Sequence, residues 1–183
     1  MRLKETPLSG NYLIDLDLRE DKRGFFARYF CEREFSEQSL VTQWVQINNS
    51  MNREVGTLRG MHFQRPPNAE EKLIRCLCGA IWDVVIDLRD GSETFGKWFG
   101  ATLSDENRTM MYVPKGFAHG FISLEPNTEI LYLVSNFYAP ESEGTLTWND
   151  PDVGIQWPIE PQVISDKDLQ GSLLNDICPI ELD

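Results

Sequence analysis

The only two histidines of this 183-residue chain each stand in an apolar stretch. His62 lies in LRGMHFQ, and His119 lies in GFAHGF. A neutral imidazole is a suitable base near pH 7, because its unperturbed pKa is about 6.5. A lone histidine on an apolar face is more often a hydrogen-bonded core residue, so its position alone does not assign a role. Each histidine has to be judged by the side chains that neighbouring strands bring beside it.

Two further polar side chains stand in strands of alternating pattern. In EILYLVSNFY, Tyr132 shares a face with Ile130, and in KLIRCLCG, Lys72 shares a face with Ile74. Tyr132 could instead be a core aromatic with its hydroxyl at the edge, and Lys72 could extend to water. If these strands and that of His62 line one barrel, an imidazole, an ammonium and a phenol meet near its mouth.

The elements that must position these side chains are mostly strands. Short apolar, β-branched and aromatic runs recur between Gly, Pro, Asn and Asp, which is typical of an all-β protein. Strands are predicted at 11–18, 24–30, 42–50, 57–64, 72–79, 80–89, 97–104, 109–116, 118–124 and 129–138, a helix at 32–40, and a short helical turn near 165–174. Ten short strands without an internal repeat or linker predict one domain, residues 1–183, built as an antiparallel sandwich or barrel.

Composition excludes several classes of function. The net charge of −12 argues against a nucleic-acid-binding protein, which needs a basic face. The chain begins without a signal-peptide pattern, and no apolar run approaches the roughly 20 residues of a membrane span. Cys76 and Cys78 are two residues apart on one strand face, which favours free thiols over a disulfide. We therefore expect a cytoplasmic protein that contacts neither nucleic acid nor membrane.

A metal site is not expected. Metal-binding barrels of the cupin type commonly offer two histidines separated by one residue, but here that motif reads His62-Phe63-Gln64. Two histidines far apart in the chain, without a clear third ligand, make a poor transition-metal site.

Several linked motifs resemble one enzyme family. RGFF, LRGMHFQ, EKLIRC, YVPKGFAHGF, ILYLVSNFYAPESEGTLTWNDPDVGIQWP and ISDKDL occur in the order and spacing of the dTDP-4-dehydrorhamnose 3,5-epimerases, from about residue 10 to 175. The resemblance implies a cupin-like double-stranded β-helix (jelly roll) and a homodimer. It also implies an epimerase without a cofactor that acts on a nucleotide-diphosphate 4-keto-6-deoxy sugar.

The resemblance also implies roles for individual residues. His62 matches the catalytic base, Asp168 its paired carboxylate and Tyr132 the proton donor on the opposite face of the sugar. Lys72 and His119 match groups around the sugar oxygens. Further substrate contacts fall on Arg23, Arg28, Gln46, Asn48, Arg59 (near the diphosphate), Tyr138 (stacked on the base), Glu143 and Lys167. Without the resemblance, Asp168 could equally be a carboxylate at a helix start, and the arginines ordinary surface charges.

The implied chemistry is consistent with these residue types. A ketone at C4 acidifies the C–H bonds at C3 and C5, because the carbanion delocalises into an enolate. Inversion needs a base on one face, an acid on the other and positive charge near the enolate oxygen. A neutral His62, oriented by Asp168, suits the first task, while Tyr132 and Lys72 suit the other two.

Two positions depart from the family pattern. Arg28 stands where the family carries a glutamate, and Ile47 stands where it often carries an aspartate. Both are expected on the nucleotide-sugar surface, so a CDP- or GDP-linked sugar, or inversion at one carbon, stays open. A 3,4-ketoisomerase and a non-catalytic sugar-binding cupin also stay open, although the joint presence of His62, Tyr132 and Lys72 favours the epimerase over both.

Overall fold

The computed structural model describes residues 1–182 and consists mainly of strands. The strands are β1 Arg2–Glu5, β2 Tyr12–Asp15, β3 Arg19–Asp21, β4 Gly24–Phe26, β5 Gln46–Asn52, β6 Thr57–Gln64, β7 Lys72–Cys78, β8 Ala80–Asp87, β9 Trp98–Ser104, β10 Met110–Val113, β11 Phe117–Ser123, β12 Thr128–Val134, β13 Glu143–Thr145 and β14 Val163–Ile164. The α-helices are α1 Glu32–Glu37 and α2 Asp166–Leu169, and single 3-10 turns lie at Pro140–Ser142 and Leu174–Asp176.

Two sheets pack face to face in a jelly roll. The first sheet has the order β1-β2-β10-β7-β12-β5, and the second has the order β13-β6-β11-β8-β9. The short strand β14 runs parallel to the start of β6, and β3 and β4 form a separate hairpin. All other strand pairs are antiparallel, so the predicted all-β, cupin-like class is confirmed.

Three apolar clusters stabilise this arrangement. The inner cluster joins the facing sides of the sheets, for example Ile74 of β7 against Val85 of β8. A second cluster covers the outer side of the second sheet with the C-terminal segment, including Ile177. The third covers the outer side of the first sheet with residues around α1, including Phe35. Because strands such as β8 are buried on both sides, AIWDVVID reads as a nearly continuous apolar run.

Several predicted boundaries were wrong for a common reason. The runs predicted at 24–30, 42–50 and 129–138 are strands only at Gly24–Phe26, Gln46–Asn52 and Thr128–Val134. The strand predicted at 11–18 likewise covers only Tyr12–Asp15. Apolar residues beyond these limits, such as Phe30 and Trp44, pack onto the outer side of the first sheet without pairing as strands. Burying an apolar side chain is favourable in coil as well as in a strand. Apolar composition alone therefore predicts strands that are longer than the real ones.

Polar elements were missed, and the helix predicted at 32–40 was too long. β1 and β3 carry the sequences RLKE and RED and have no apolar alternation, so only their pairing with neighbours defines them. Helix 32–40 ends at Glu37. The short helical turn predicted near 165–174 is present as the single turn α2, Asp166–Leu169. It ends before Gly171, where an added Cβ would lie 2.7 Å from the backbone nitrogen of Thr147.

The cysteines do not share one face. Cys76 is fully buried, whereas Cys78 is exposed. The pairing of β7 with β12 shifts register between Cys76 and Cys78, which breaks the alternation that the sequence suggested. All four thiols are free. No helix among residues 1–182 is long and apolar enough to cross a membrane.

Two glycines bring β6 and β11 unusually close beside the histidines. An added Cβ on Gly120 would lie 2.7 Å from the Arg59 carbonyl oxygen and 2.9 Å from the Gly60 Cα. Gly60 itself has a φ of +135°, a conformation that side-chain-bearing residues rarely adopt. The contact lies in the same strand pair in which His62 and His119 stand directly opposite each other. Tight packing of the two backbones therefore fixes the relative position of both imidazoles.

We predict that Gly120→Ala lowers the free energy of unfolding by about 1–3 kcal/mol, because the new methyl group meets strand backbone that cannot move aside. Gly100→Ala is the comparison variant, because its Cβ would come within 2.8 Å of a side chain, the indole of Trp82, and not of strand backbone, so a rotation of that side chain can relieve the contact. Urea unfolding of both variants measures the difference. Equal losses in the two would contradict the importance of the β6–β11 contact.

Candidate active site

The first element of the site is a histidine–aspartate pair. His62 Nε2 lies 2.6 Å from Asp168 Oδ1, although the residues are 106 positions apart in the chain. β14 pairs with the start of β6 and leads directly into α2, which places Asp168 beside the middle of β6. The Ser165 side chain caps α2 by accepting a hydrogen bond from the Asp168 amide, and the Gly60 amide donates to Asp168 Oδ2. The aspartate is thus both a helix-start residue and a partner of the histidine.

The environment of Asp168 keeps its carboxyl group ionised. Burial by itself raises the pKa of Asp168, but hydrogen bonding and charge interaction with His62, together with the donors Gly60 and Ser165, lower the pKa below its ordinary value. A carboxylate accepts hydrogen bonds, so Nε2 of His62 carries the proton that points at Asp168. Nδ1 is then the imidazole nitrogen that is left with a basic lone pair.

A phenol stands on the opposite sheet. Tyr132 belongs to β12 of the first sheet, whereas His62 belongs to β6 of the second, and both side chains line the same cleft. Burial raises the pKa of Tyr132, the negative charge of Glu70 raises it further, and Arg59 lowers it. The hydroxyl is therefore protonated at neutral pH and can act as a proton donor.

The cleft has two lobes that share His62, Lys72 and Tyr132. The inner lobe has a volume of about 550 Å³ and is also lined by Arg59, His119 and Asp168. The outer lobe has a volume of about 310 Å³ and is also lined by Gln46, Asn48, Glu70, Tyr138 and Glu143. The two strands β7 and β12 are neighbours in the first sheet, so Lys72 lies near Tyr132 and faces the second sheet with it.

A second histidine–aspartate pair was not predicted. His119 Nε2 lies 2.8 Å from Oδ1 of Asp83, a fully buried residue of β8. The sequence signal was present, because Asp83 interrupts the apolar run AIWDVVID on the face that Ile81 and Val85 direct into the core. A buried carboxylate needs a polar partner, and the paired strand β11 supplies the imidazole.

Hydrogen bonds order the rim of the outer lobe. Tyr138 donates from its hydroxyl to Glu143 Oε2 over 2.9 Å, and Lys167 Nζ lies 2.5 Å from Glu143 Oε1. The Gln46 side chain accepts from the Tyr138 amide over 3.1 Å. Gln64, which stands where a metal-binding cupin carries a ligand, donates to the Asn68 and Phe137 carbonyl oxygens and accepts from the Ala139 amide.

Gln64 therefore fixes the loop that carries Tyr138, a role that the sequence did not reveal. Within residues 1–182, no cluster of three or more His, Cys, Asp or Glu side chains is arranged to hold a metal ion.

Three positions expected on the substrate surface lie outside the cleft of a single chain. Arg23 is on the exposed β3–β4 hairpin and contacts Asp21. Arg28 contacts Glu34 over 3.4 Å. Ile47 points away from the cleft, with 65% of its surface exposed, because its neighbours on β5 occupy the opposite face. The departure at residue 47 therefore does not alter the lining of this cleft.

Comparison with known proteins gives consistent results for the sequence and for the fold. The family model for dTDP-4-dehydrorhamnose 3,5-epimerase matches residues 5–176. A dTDP-4-dehydrorhamnose 3,5-epimerase from Methanothermobacter thermautotrophicus is 43% identical over 170 residues, which is 91% of each chain.

Solved structures are equally similar. The epimerase of that name from Elizabethkingia anophelis superposes with a TM-score of 0.93 at 43% identity, covering 96% of this chain and 97% of its own. An epimerase from Legionella pneumophila, solved in complex with dTDP-4-keto-L-rhamnose, gives a TM-score of 0.92 at 36% identity, covering 100% of this chain and 98% of its own. The chain belongs to the dTDP-4-dehydrorhamnose 3,5-epimerase family.

Proposed function

We propose that this chain is a carbohydrate epimerase that inverts C3 and C5 of dTDP-4-keto-6-deoxyglucose, without a cofactor, through an enolate. The observation that carries the proposal is the placement of a carboxylate-bound imidazole and a protonated phenol on facing sheets of one cleft. Relatives named as dTDP-4-dehydrorhamnose 3,5-epimerases support the choice of substrate.

The proposed reaction begins with proton abstraction. Nδ1 of His62 takes the proton from the carbon next to the ketone, and the Asp168 carboxylate stabilises the imidazolium that forms. The electron pair of the C–H bond moves into the ketone, which becomes an enolate. Lys72, which lines the same lobe, provides hydrogen-bond donors for its oxygen.

Inversion follows when the proton returns from the opposite side. The Tyr132 hydroxyl donates its proton to the carbanion carbon, which closes the enolate back to the ketone. The tyrosinate then recovers a proton from solvent, and His62 releases the one it took. Both C3 and C5 are adjacent to the same ketone, so the same pair of groups serves both carbons in turn.

Charges in the cleft support the predicted homodimer. The described residues that line the two lobes include three cations, Arg59, Lys72 and Lys167, and three carboxylates, Glu70, Glu143 and Asp168. A nucleoside diphosphate therefore meets no excess of positive charge within one chain. The predicted contacts Arg23 and Arg28 lie outside the cleft, near the exposed rings of Phe25 and Phe26.

A second copy can supply the missing charge. β5 is an edge strand that borders the cleft and carries exposed apolar side chains such as Ile47 and Met51. An edge of this kind is suited to contact with another chain. We infer a homodimer in which the β3–β4 hairpin of each protomer brings Arg23 to the cleft of its partner. The free thiols fit the cytoplasmic location that we also propose.

In deuterated water, we expect incubation with dTDP-4-keto-6-deoxyglucose to place deuterium at both C3 and C5, because one ketone acidifies both carbons. NMR of the ring positions measures the label, with the CDP- and GDP-linked sugars as comparison substrates. Label at a single carbon would identify a single-centre epimerase.

Tyr132→Phe should exchange the substrate proton more readily than it forms inverted product.

His62→Ala should abolish exchange at both carbons, because the variant lacks the base, while dTDP binding stays detectable by calorimetry. Asp168→Asn should lower kcat by about 10²–10⁴-fold with a smaller change in KM, since the amide no longer stabilises the imidazolium. Single-turnover exchange rates measure the loss in His62→Ala, and steady-state kinetics measure kcat and KM of Asp168→Asn. Normal exchange in His62→Ala would show that another residue is the base.

Mixing two inactive variants tests the shared site. If Arg23 serves the partner's cleft, equal amounts of Arg23→Ala and His62→Ala protein, after subunit exchange, should recover about a quarter of wild-type activity. Half of the dimers are then mixed, and each mixed dimer has one intact cleft. No recovery, despite mixed dimers detected by native mass spectrometry, would show that Arg23 does not act across the interface.

A further inference from the structure

The cleft contains a carboxylate that the proposed reaction does not use. Glu70 lies in coil two residues before Lys72, which opens β7, and both side chains line the outer lobe. The Glu70 Oε1 atom is 3.2 Å from the Lys72 ammonium, and the two side chains are only 11% and 13% exposed. Glu70 also lines the outer lobe together with Tyr132.

A negative charge at this place opposes the chemistry around it. The enolate is an anion, and the nucleotide carries further negative charge, so Glu70 weakens the attraction of the cleft for both. The ion pair with the largely buried ammonium of Lys72 offsets part of the cost of placing a carboxylate here. The surroundings of Glu70 indicate how it can also favour the reaction. Glu70 lies 3.2 Å from the ammonium of Lys72, and its negative charge raises the pKa of Tyr132.

We propose that Glu70 is a positioning residue of the epimerase site, which acts on the reaction through Lys72 and Tyr132 without touching the sugar. This inference rests on the proposed function. It deepens that proposal, because it assigns a role to a residue that the family resemblance did not mark.

The first effect is on the position of Lys72. A lysine side chain has four rotatable bonds, and its ammonium carries three donors. One donor bound to Glu70 fixes the ammonium where the two lobes meet, and two donors stay free for the oxygen of the enolate. Without this contact, the ammonium would sample other rotamers, and the preorganised charge near the ketone would be lost.

The second effect is on the proton of Tyr132. Burial raises the pKa of the phenol, and the charge of Glu70 raises it further, which disfavours the tyrosinate. Donation to the sugar requires the protonated phenol, so Glu70 extends the pH range over which Tyr132 can act. The tyrosinate formed after each donation is also reprotonated more readily beside a carboxylate.

Other charged and titratable groups act on the same phenol and have to be counted. They face Tyr132 from β6, β7, β11, β13, α2 and the loop after β12, and they are His62, Arg59, Lys72, His119, Glu143, Lys167, Asp168 and Tyr138. Arg59 lowers the pKa of Tyr132, in opposition to Glu70. A change at Glu70 removes none of these groups, and among them it releases only Lys72, whose movement is separated from the loss of charge by the Glu70→Asp variant.

The test compares Glu70→Gln with Glu71→Gln. Glu71 is the adjacent carboxylate, it accepts hydrogen bonds from Ser135, and it does not line the cleft. We expect Glu70→Gln to lower kcat about tenfold because Lys72 loses its anchor. KM should not rise, since the removed charge repelled the nucleotide. The alkaline limb of kcat should move to lower pH, because the tyrosinate then forms more easily.

A second variant separates the two effects. Glu70→Asp keeps the negative charge near Tyr132 but is too short to maintain the contact with Lys72. It should lower kcat without moving the titration of Tyr132. Tyrosinate absorbance gives that titration directly, as the difference between each protein and the same protein carrying Tyr132→Phe. Thermal unfolding confirms that each variant is folded before its kinetics are compared.

Two results would overturn the inference. One is a Glu70→Gln protein whose kcat and Tyr132 titration equal those of the wild type. The other is a Glu71→Gln protein that changes kcat and the titration as much as Glu70→Gln does. In either case, normal exchange in the wild type and none in His62→Ala would leave the proposed function intact. Absence of exchange in the wild type itself would instead remove the proposed function.

Discussion

The hydrogen bond between His62 and Asp168 is the interaction on which the rest of the site depends. A histidine in an apolar strand has to satisfy one nitrogen and expose the other if it is to act as a base. Asp168 satisfies Nε2, and its own second oxygen is bound by the Gly60 amide, so the pair is complete within the wall of the barrel. The orientation of the imidazole is therefore set before any substrate binds.

The hydrogen bond between His62 and Asp168 requires two distant segments of the chain to lie side by side. Asp168 can reach His62 only because β14 runs beside the start of β6 and α2 follows at once. Ser165 caps the helix and orients its first turn, which holds Asp168 against the strand. On the other side of His62, Gly60 and Gly120 allow β11 to approach closely enough for His119 to stand opposite. The close packing of two backbones and one short helix thus positions both imidazoles.

The strands are predicted best where apolar residues alternate or run continuously. β6, β7, β8, β9 and β11 are located almost to the residue, because each is buried on at least one face. Segments around Phe30 and Trp44 are predicted as strands although they pack as coil, since the gain from burying an aromatic ring does not depend on backbone pairing. β14 was missed for the opposite reason, since two residues carry no periodic pattern.

The cleft was predicted less completely than the strands. His62, Lys72 and Tyr132 were expected to converge, and the structure places them around one cleft, but Asp83, Glu70 and Gln64 were not singled out. Each of these three contacts a neighbour in space: Asp83 contacts His119, Glu70 contacts Lys72, and Gln64 contacts the loop that carries Tyr138. Such partners are set by strand register and loop path, which a linear pattern does not encode.

The all-β class, the positions of the central strands and, through linked motifs, the family could be read from the amino-acid sequence. These features follow from local alternation of apolar and polar residues and from residue types at fixed spacing, and both can be observed in the linear sequence. The family resemblance paired Asp168 with His62, and the tertiary structure supplied the contact itself. The tertiary structure alone showed that Ile47 faces away from the cleft and that Arg23 lies outside it. Those outcomes depend on how distant segments pack against each other, and packing is decided by the whole set of buried contacts.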